Sequence, residues 1–386
     1  MPRSDHEAHV RRPRARALAL ALAAMALVAA ACGSSDDGGG ESSTGSAAEA
    51  TGAVFAGPAA SAEEGLDALY EAAVANGEDT VILAVSTTSA QIYGDLAEAF
   101  EERFPDITVE LKEMDFIQMG SVVQSELDAG QRTADVVTNA FLALKPMIDA
   151  GSIDESIDWA ALGVPDERVA EAGFVFQADG LCTTVVYNPD VIDEADLPDD
   201  LEGFLDSEWS NQLSTLPSNG VACMGFYALR EGLDETTELV EGLRDNGMIF
   251  TDDAEQLMLA GERPVIVFHY SITAPRLEAQ GAPVAEKLYP GTGVFRTRVA
   301  VVEDTPVPNA ARLVTAWMVS PEAMQIFEDY HQGGQGFVAD PDSMLVARTE
   351  ALGQDPTDES FFVYETLDNF ADRAEAATTF RELFVG

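Results

Sequence analysis

The sequence predicts an α/β protein with two lobes, each a mainly parallel sheet flanked by helices. Short apolar runs of strand length alternate with helical apolar patterns over much of the chain, which is typical of right-handed βαβ units. About 325 residues follow Ala60, more than a single hydrophobic core accommodates comfortably. The chain is therefore expected to leave the first lobe, build the second, and return.

Residues 1–60 are predicted to precede the folded body. Several arginines come before the apolar run Ala17–Val28, and Cys32 follows three alanines. This is the layout of a secretory signal, and the run is too short to span a membrane comfortably. The cysteine resembles that of a bacterial lipobox, which implies a signal peptide over residues 1–31 and a lipid on Cys32. Ordinary cleavage that leaves a soluble secreted protein is the alternative.

The composition of residues 32–60 predicts a flexible tether, because this stretch is rich in Gly, Ser, Ala and acidic residues and lacks apolar periodicity. The first lobe is predicted to start with a helix from Ser61 that Gly77 ends. Three strand–helix pairs follow it: Val81–Val85 with a helix that Pro105 stops, Ile107–Leu111 with Phe116–Ala129, and Ala134–Thr138 with Ala140–Ala150.

The second lobe is predicted to span residues 180–285, with residues 61–179 and 286–386 in the first. Its strands are predicted at Leu181–Tyr187, Asn211–Leu216 and Val265–His269, with a helix at Met224–Glu231. A further strand, Arg298–Val302, and two helices, Asn309–Met318 and Pro321–Tyr330, are predicted after the return.

Charge and cysteine content limit the partners and the compartment. The chain has 21 Lys and Arg against 68 Asp and Glu, a formal net charge of −47. Nucleic acid and anionic membrane surfaces would repel such a protein. Outside the cytoplasm Cys182 and Cys223 can form a disulfide, but their spacing alone leaves a bridge and two free thiols equally open.

Several stretches resemble the solute-binding proteins of bacterial ABC importers. They occur in the same order as in that family: YEAAVANGEDTVILAVST, ADVVTNA, GLCTTVVYNPDVI, LEGFLDSEWSNQLSTLPSNG, LMLAGERPVIVFHY and PVPNAARLVTAWMVSPEAMQIFEDY. The ferric-type branch, which also binds phosphonates and other small solutes, is the most similar. The resemblance implies a type II periplasmic-binding fold with hinge strands between the lobes and a ligand in the cleft. It also implies a monomer without enzymatic activity or cofactor, which delivers its ligand to a membrane permease.

Candidate ligand-binding residues follow the predicted strands, since ligands of open α/β sheets bind beyond the carboxyl ends of strands. Helix N-termini at that place present unpaired N–H groups that suit an anion. The candidates are Ser86, Thr87, Thr88, Ser89 and Asn139 in the first lobe, and Tyr187, Ser218, Asn219 and Tyr270 in the second. Each has a structural alternative as a helix cap, a turn or a core residue.

Ferric iron is the alternative ligand. Ferric-binding members resemble one another in a pair of adjacent tyrosines, whereas none of the eight tyrosines here has a tyrosine neighbour. Tyr187, His269, Tyr270 and Tyr289 are the candidate ferric ligands. Hydroxyl groups at helix N-termini favour a small polar or anionic solute, such as a phosphonate or a carboxylate.

A secreted hydrolase is the second alternative. The many acidic residues leave a carboxylate pair of the glycosidase type open. The sequence has no G-x-S-x-G elbow, H-E-x-x-H helix or phosphate-binding G-x-x-x-x-G-K-[ST] loop. Motif evidence for catalysis is therefore absent from the sequence.

Overall fold

A computed structural model describes residues 53–182 and 184–385, and these residues form one compact body. Its first part contains α1 (Ala62–Asn76), β1 (Thr80–Ser86), α2 (Ala90–Arg103), β2 (Thr108–Met114), α3 (Met119–Asp128), β3 (Val136–Ala140) and α4 (Phe141–Ala150). Ser61 accepts a hydrogen bond from the Glu64 N–H and so caps α1, and Gly77 ends it at φ 71°. Both ends of α1 agree with the sequence prediction. The predicted signal peptide and Cys32 lie outside the described residues. The described end of the predicted tether packs on the first lobe: the Phe55 N–H donates to Asn309 Oδ1 at 2.8 Å, and the Ala59 N–H donates to the Ala161 carbonyl at 2.8 Å.

The first sheet also contains β4 (Val175–Cys182), β10 (Thr292–Val301), β11 (Gln335–Gly336) and β12 (Phe362–Tyr364). Its strand order is β11-β4-β10-β3-β1-β2, and β12 pairs with β10. β1 is parallel to β2 and β3, whereas β10 is antiparallel to both β3 and β4. The sheet is therefore mixed, with its parallel part at the end where the strand–helix pairs were predicted.

The second sheet has the order β7-β6-β8-β5-β9. Its region contains β5 (Thr184–Tyr187), β6 (Leu213–Thr215), α5 (Pro217–Glu231), α6 (Leu233–Asp245), β7 (Ile249–Phe250), α7 (Ala254–Leu259), β8 (Val265–His269), α8 (Thr273–Ala279) and β9 (Ala285–Lys287). β6 is parallel to β7 and β8, and β5 is antiparallel to β8 and β9. Two α/β lobes thus result, as the sequence predicts.

Two connections join the two sheets, from β4 to β5 and from β9 to β10. The single strand predicted at Leu181–Tyr187 is divided between the two sheets: Cys182 pairs with Gly293 in the first sheet, and Thr184 pairs with His269 in the second. A continuous apolar run does not reveal this division, because the chain stays extended and buried on both sides of it.

The remaining helices are α9 (Pro308–Trp317), α10 (Pro321–His331), α11 (Met344–Ala351) and α12 (Phe370–Val385). The sequence placed all of residues 286–386 in the first lobe, whereas α12 packs on α5 and buries Ala376, Ala377 and Phe380 in the core of the second. Gly225 of α5 permits this approach, since a Cβ there would lie 3.1 Å from the Arg373 carbonyl oxygen. Within the described residues no helix is both long and apolar enough to cross a membrane.

Candidate functional site

The register of the crossing strands defines which edge of each lobe faces the other. Ala140 at the end of β3 pairs with Thr297, while residues 293–296 of β10 continue beyond β3 along β4. In the second lobe, His269 at the end of β8 pairs with Thr184, where the chain enters. We call these edges the inner edges. Strands β1, β3, β6 and β8 all end there, which is where α/β proteins bind ligands.

The hydroxyl turn of the first lobe, residues 86–89, lies at its inner edge. Ser86 Oγ accepts from the Thr88 N–H at 3.3 Å and lies 2.9 Å from Thr88 Oγ1. Thr87 Oγ1 donates to the Met114 carbonyl at 3.1 Å, and Ser89 Oγ donates to the Ser86 carbonyl at 3.1 Å. Ser89 makes no side-chain cap on α2. The cap predicted as its structural alternative is therefore not formed, and Thr87 and Thr88 are exposed.

Asn139 also lies at this edge, but its amide is occupied within the first lobe. Its Nδ2 donates to the Phe116 carbonyl at 3.1 Å, and its Oδ1 accepts from the Ala140 N–H at 2.7 Å. The side chain is 4% exposed. Asn139 therefore holds the loop after β2 against the end of β3, the turn role that was its structural alternative.

The second lobe presents α5 at its inner edge. Pro217 begins this helix, and Leu216 before it supplies no side-chain cap. Ser218 is exposed and donates to Asn219 Oδ1 at 3.2 Å, and Asn219 Nδ2 lies 3.3 Å from His269 Nδ1. The structure thus brings together Ser218, Asn219 and His269.

His269 is a neutral, buried imidazole in this arrangement. Burial, with a smaller effect of Arg276, lowers its pKa to about 3. Glu255 Oε1 lies 3.9 Å from His269 Nε2 and would favour the charged form, but Glu255 already pairs with Arg276 at 2.6 Å. An amide nitrogen can only donate, so Nδ1 accepts from Asn219 and the proton is assigned to Nε2. Nε2 has no hydrogen-bond partner in the described part of the chain.

This buried imidazole should make the protein less stable in acid. In the unfolded chain a histidine binds a proton near its ordinary pKa of 6.5, while folded His269 does not until about pH 3. Stability is therefore lost as pH falls from about 6.5, by on the order of 4 kcal/mol near pH 3. We expect His269→Gln to flatten the pH dependence of urea unfolding over this range. His331, whose pKa burial lowers to about 4, contributes further slope in both proteins.

The candidate ferric ligands are not brought to one place. β5 runs antiparallel to β8, so Tyr187 pairs with Val265 at the edge opposite His269. Tyr289 donates to the Pro198 carbonyl at 2.8 Å and lies in the same core as Tyr187. Tyr270 follows β8 directly after His269 and packs on Phe295 at the border of the same core, with 4.9 Å between ring centroids. Across residues 53–182 and 184–385, no three His, Cys, Asp or Glu residues are grouped to hold a metal.

A buried polar trio at the inner edge of the first lobe was not foreseen from the sequence. Tyr93 donates to Gln177 Oε1 at 2.7 Å, and its hydroxyl lies 2.9 Å from Thr138 Oγ1. Burial raises the pKa of Tyr93 well above its ordinary value, so it stays protonated. Tyr93 lies on the first turn of α2, four residues after Ser89, so both residues lie on the same side of the helix. This spacing is the only local sequence feature that would have placed Tyr93 near the inner edge.

The chain belongs to the bacterial extracellular solute-binding proteins, because the model of that family matches residues 95–359. Its fold is the type II periplasmic-binding fold. The chain is similar to iron-bound HitA from Pseudomonas aeruginosa, with 20% identity, a TM-score of 0.61, and coverage of 79% of this chain and 99% of HitA.

Two other solved structures show the range of proteins with this fold. An ABC transporter substrate-binding protein from Bradyrhizobium japonicum has 14% identity and a TM-score of 0.62, with 80% of this chain and 100% of that chain covered. The maltose/maltodextrin-binding domain MalE from Bdellovibrio bacteriovorus, bound to maltotriose, has 12% identity and a TM-score of 0.63, with 80% and 94% covered. No curated protein matches the chain. Identities this low establish the fold and leave the ligand open.

Proposed function

We propose that this chain is the solute receptor of an ABC importer and captures a small polar or anionic solute between its lobes. The observation that carries the proposal is the placement of α2 and α5. Each begins at the inner edge of its lobe. Helix α5 has no side-chain cap, so the N–H groups of its first turn are available to a ligand. Helix α2 continues from the turn at residues 86–89, in which Ser86 Oγ already accepts from the Thr88 N–H, so it contributes the exposed Thr88 hydroxyl and a helix dipole that favours a negative ligand.

The side chains around these two N-termini support a polar ligand of modest charge. Thr88 and Ser218 offer exposed hydroxyl groups, and Asn219 is fixed by its contact with neutral His269. A phosphonate or a carboxylate accepts hydrogen bonds from such donors. The separation of Tyr187 from Tyr270 argues against the ferric alternative.

In the proposed mechanism, the solute bridges residues 86–89 of the first lobe and residues 218–219 of the second. It then binds the closed state better than the open state and shifts the population toward closure. The closed form docks on the permease, and the solute leaves chemically unchanged. A lipid on Cys32 and a tether that ends before Phe55 hold the monomer at the outer face of the membrane, since the Phe55 N–H donates to Asn309 Oδ1 within the first lobe.

Native mass spectrometry of the purified protein, followed by a thermal-shift screen, tests the ligand class. The probes are methylphosphonate, inorganic phosphate, citrate and ferric citrate. An anion that stabilises the protein should also reduce its radius of gyration in scattering. A stabilising anion without compaction would remove the closure mechanism, and a chemically altered probe would indicate an enzyme. Binding of ferric citrate that Tyr270→Phe abolishes would establish the ferric alternative instead.

For an anion identified in this way, we expect Thr88→Val and Asn219→Ala each to weaken binding about tenfold, because each removes a hydrogen bond to a charged group. Thr237→Val is the matched control, since Thr237 lies on α6 and donates to the Leu233 carbonyl. Isothermal titration calorimetry measures all three variants. Equal losses in the control and the two site variants would contradict the proposed site.

A further inference from the structure

A cavity of about 780 Å³ lies between α5, β10 and the C-terminal part of the chain. Arg230, Arg296, Val338, Phe362, Val363 and Tyr364 are among the residues that line it. Its volume is within the range of small-molecule sites. Its walls combine apolar side chains and two guanidinium groups with one carboxylate, Glu359, and the polar side chains of Thr357, Ser360, Thr366 and Asn369. No residue predicted to bind ligand contributes to it.

Arg296 is held in this cavity in a way that suits an anion. Its guanidinium carbon lies 4.3 Å from the ring centroid of Phe176 and 5.1 Å from that of Tyr364. The two rings fix the orientation of the group and exclude water from its faces. The rim remains open, since 17% of the side chain is exposed.

Arg296 forms an ion pair with buried Asp179, but most of its N–H donors are unused. Its Nε lies 3.0 Å from Asp179 Oδ1, but the alignment is too poor for a hydrogen bond. Asp179 Oδ2 accepts from the Val338 N–H at 3.0 Å. The guanidinium therefore makes no side-chain hydrogen bond among residues 53–182 and 184–385, although it carries five N–H donors.

Arg298, two residues further along β10, shows which acceptors the chain provides for a stacked, buried guanidinium. Its guanidinium also stacks on Phe176, at 5.3 Å, and on Phe141, at 4.4 Å. Here the chain supplies the acceptors: Glu365 Oε1 accepts at 3.1 Å and the Glu365 carbonyl at 3.3 Å. At Arg296 the cavity lies where Glu365 lies at Arg298.

We propose that this cavity binds a small carboxylate with an apolar body, separately from the solute between the lobes. The ligand carboxylate accepts from the Arg296 guanidinium, as Glu365 Oε1 accepts from that of Arg298. Val338, Phe362 and Val363 contact the apolar body. A carboxylate matches the planar fork of a guanidinium in a bidentate pair, and this geometry selects against neutral ligands of the same shape.

The probes are hexanoate and phenylacetate, each compared with its primary amide by calorimetry. We expect the carboxylates to bind with millimolar or tighter dissociation constants and the amides to bind at least tenfold more weakly. Arg296→Gln should weaken carboxylate binding at least tenfold and leave amide binding unchanged. The absence of saturable carboxylate binding at millimolar concentration, or equal binding of the amides, overturns the proposal.

Arg296→Gln removes the cation that pairs with buried Asp179 and so could disturb folding. A second variant therefore tests the site without touching this pair. Glu359 lines the cavity and is exposed, so Glu359→Lys should tighten carboxylate binding several-fold. Glu71→Lys makes the same change of charge at an exposed position of α1 and should have no effect. Equal behaviour of these two variants contradicts the proposal. Thr88→Val and Asn219→Ala should leave hexanoate affinity unchanged; a loss would place the carboxylate between the lobes instead.

Discussion

Replacing Cys182 and Cys223 with alanine should lower the free energy of unfolding by about 4 kcal/mol, the loop-closure contribution of a bridge that spans some 41 residues. The two residues are bridged in the structure, with 5.0 Å between their Cα atoms and both side chains fully buried. Urea unfolding of the double variant and of reduced wild-type protein measures the loss. The two should agree to within the cost of the removed sulfur atoms.

The position of the bridge extends this prediction to ligand binding. Cys182 ends β4 at the crossing between the lobes, and Cys223 lies on α5, one turn after Asn219. The bond therefore fixes the helix N-terminus of the second lobe against a hinge strand. We expect the reduced protein to exchange the α5 amides faster with deuterium. An unchanged unfolding midpoint after reduction would show that the thiols are free in solution.

The fold was largely predictable because its signals are local. Strand β1, helix α2 and the ends of α1 follow from apolar periodicity, a proline stop and the Ser61 and Gly77 caps. The hydroxyl turn at residues 86–89 was located by the same logic, because the end of a strand is visible in the sequence. Its place at an inner edge follows from the parallel pairing of β1 with β3.

Features that depend on distant pairing were not predictable. Alternation indicates a strand at Tyr187 but not its direction, and the antiparallel pairing with β8 moves this side chain to the far edge. Strand β4 is buried along its whole length, so no period-two pattern distinguishes it from its surroundings. Gln177 accepts from Tyr93 of α2, and Arg296 stacks on Tyr364 of β12. Both partners are far away in sequence, so local patterns do not reveal these contacts.

A buried ion cluster connects the first sheet with α12, and its central carboxylate should be worth more than any surface ion pair. Glu365 is 2% exposed and contacts both Arg298 of β10 and Arg373 of α12. Burial lowers the pKa of Arg298 below its ordinary value, which shows how strongly the surroundings disfavour its charge. Glu365→Gln leaves two buried guanidinium groups without a counter-charge. We expect it to lower the free energy of unfolding by about 3–5 kcal/mol in urea titrations.

The matched control is Glu63→Gln, which removes one carboxylate from a surface pair with Arg103. The Glu63 side chain is 69% exposed, and Arg103 keeps Glu322 as a partner at 2.7 Å, so the loss should stay below about 1 kcal/mol. Replacing all three cluster residues with Met or Leu should cost less than Glu365→Gln alone, since no buried charge then remains unpaired. If Glu365→Gln were as mild as the control, the cluster would be solvated. The attachment of α12 to the first lobe would then rest on its contact with α4, where the ring centroids of Phe370 and Phe141 are 5.3 Å apart.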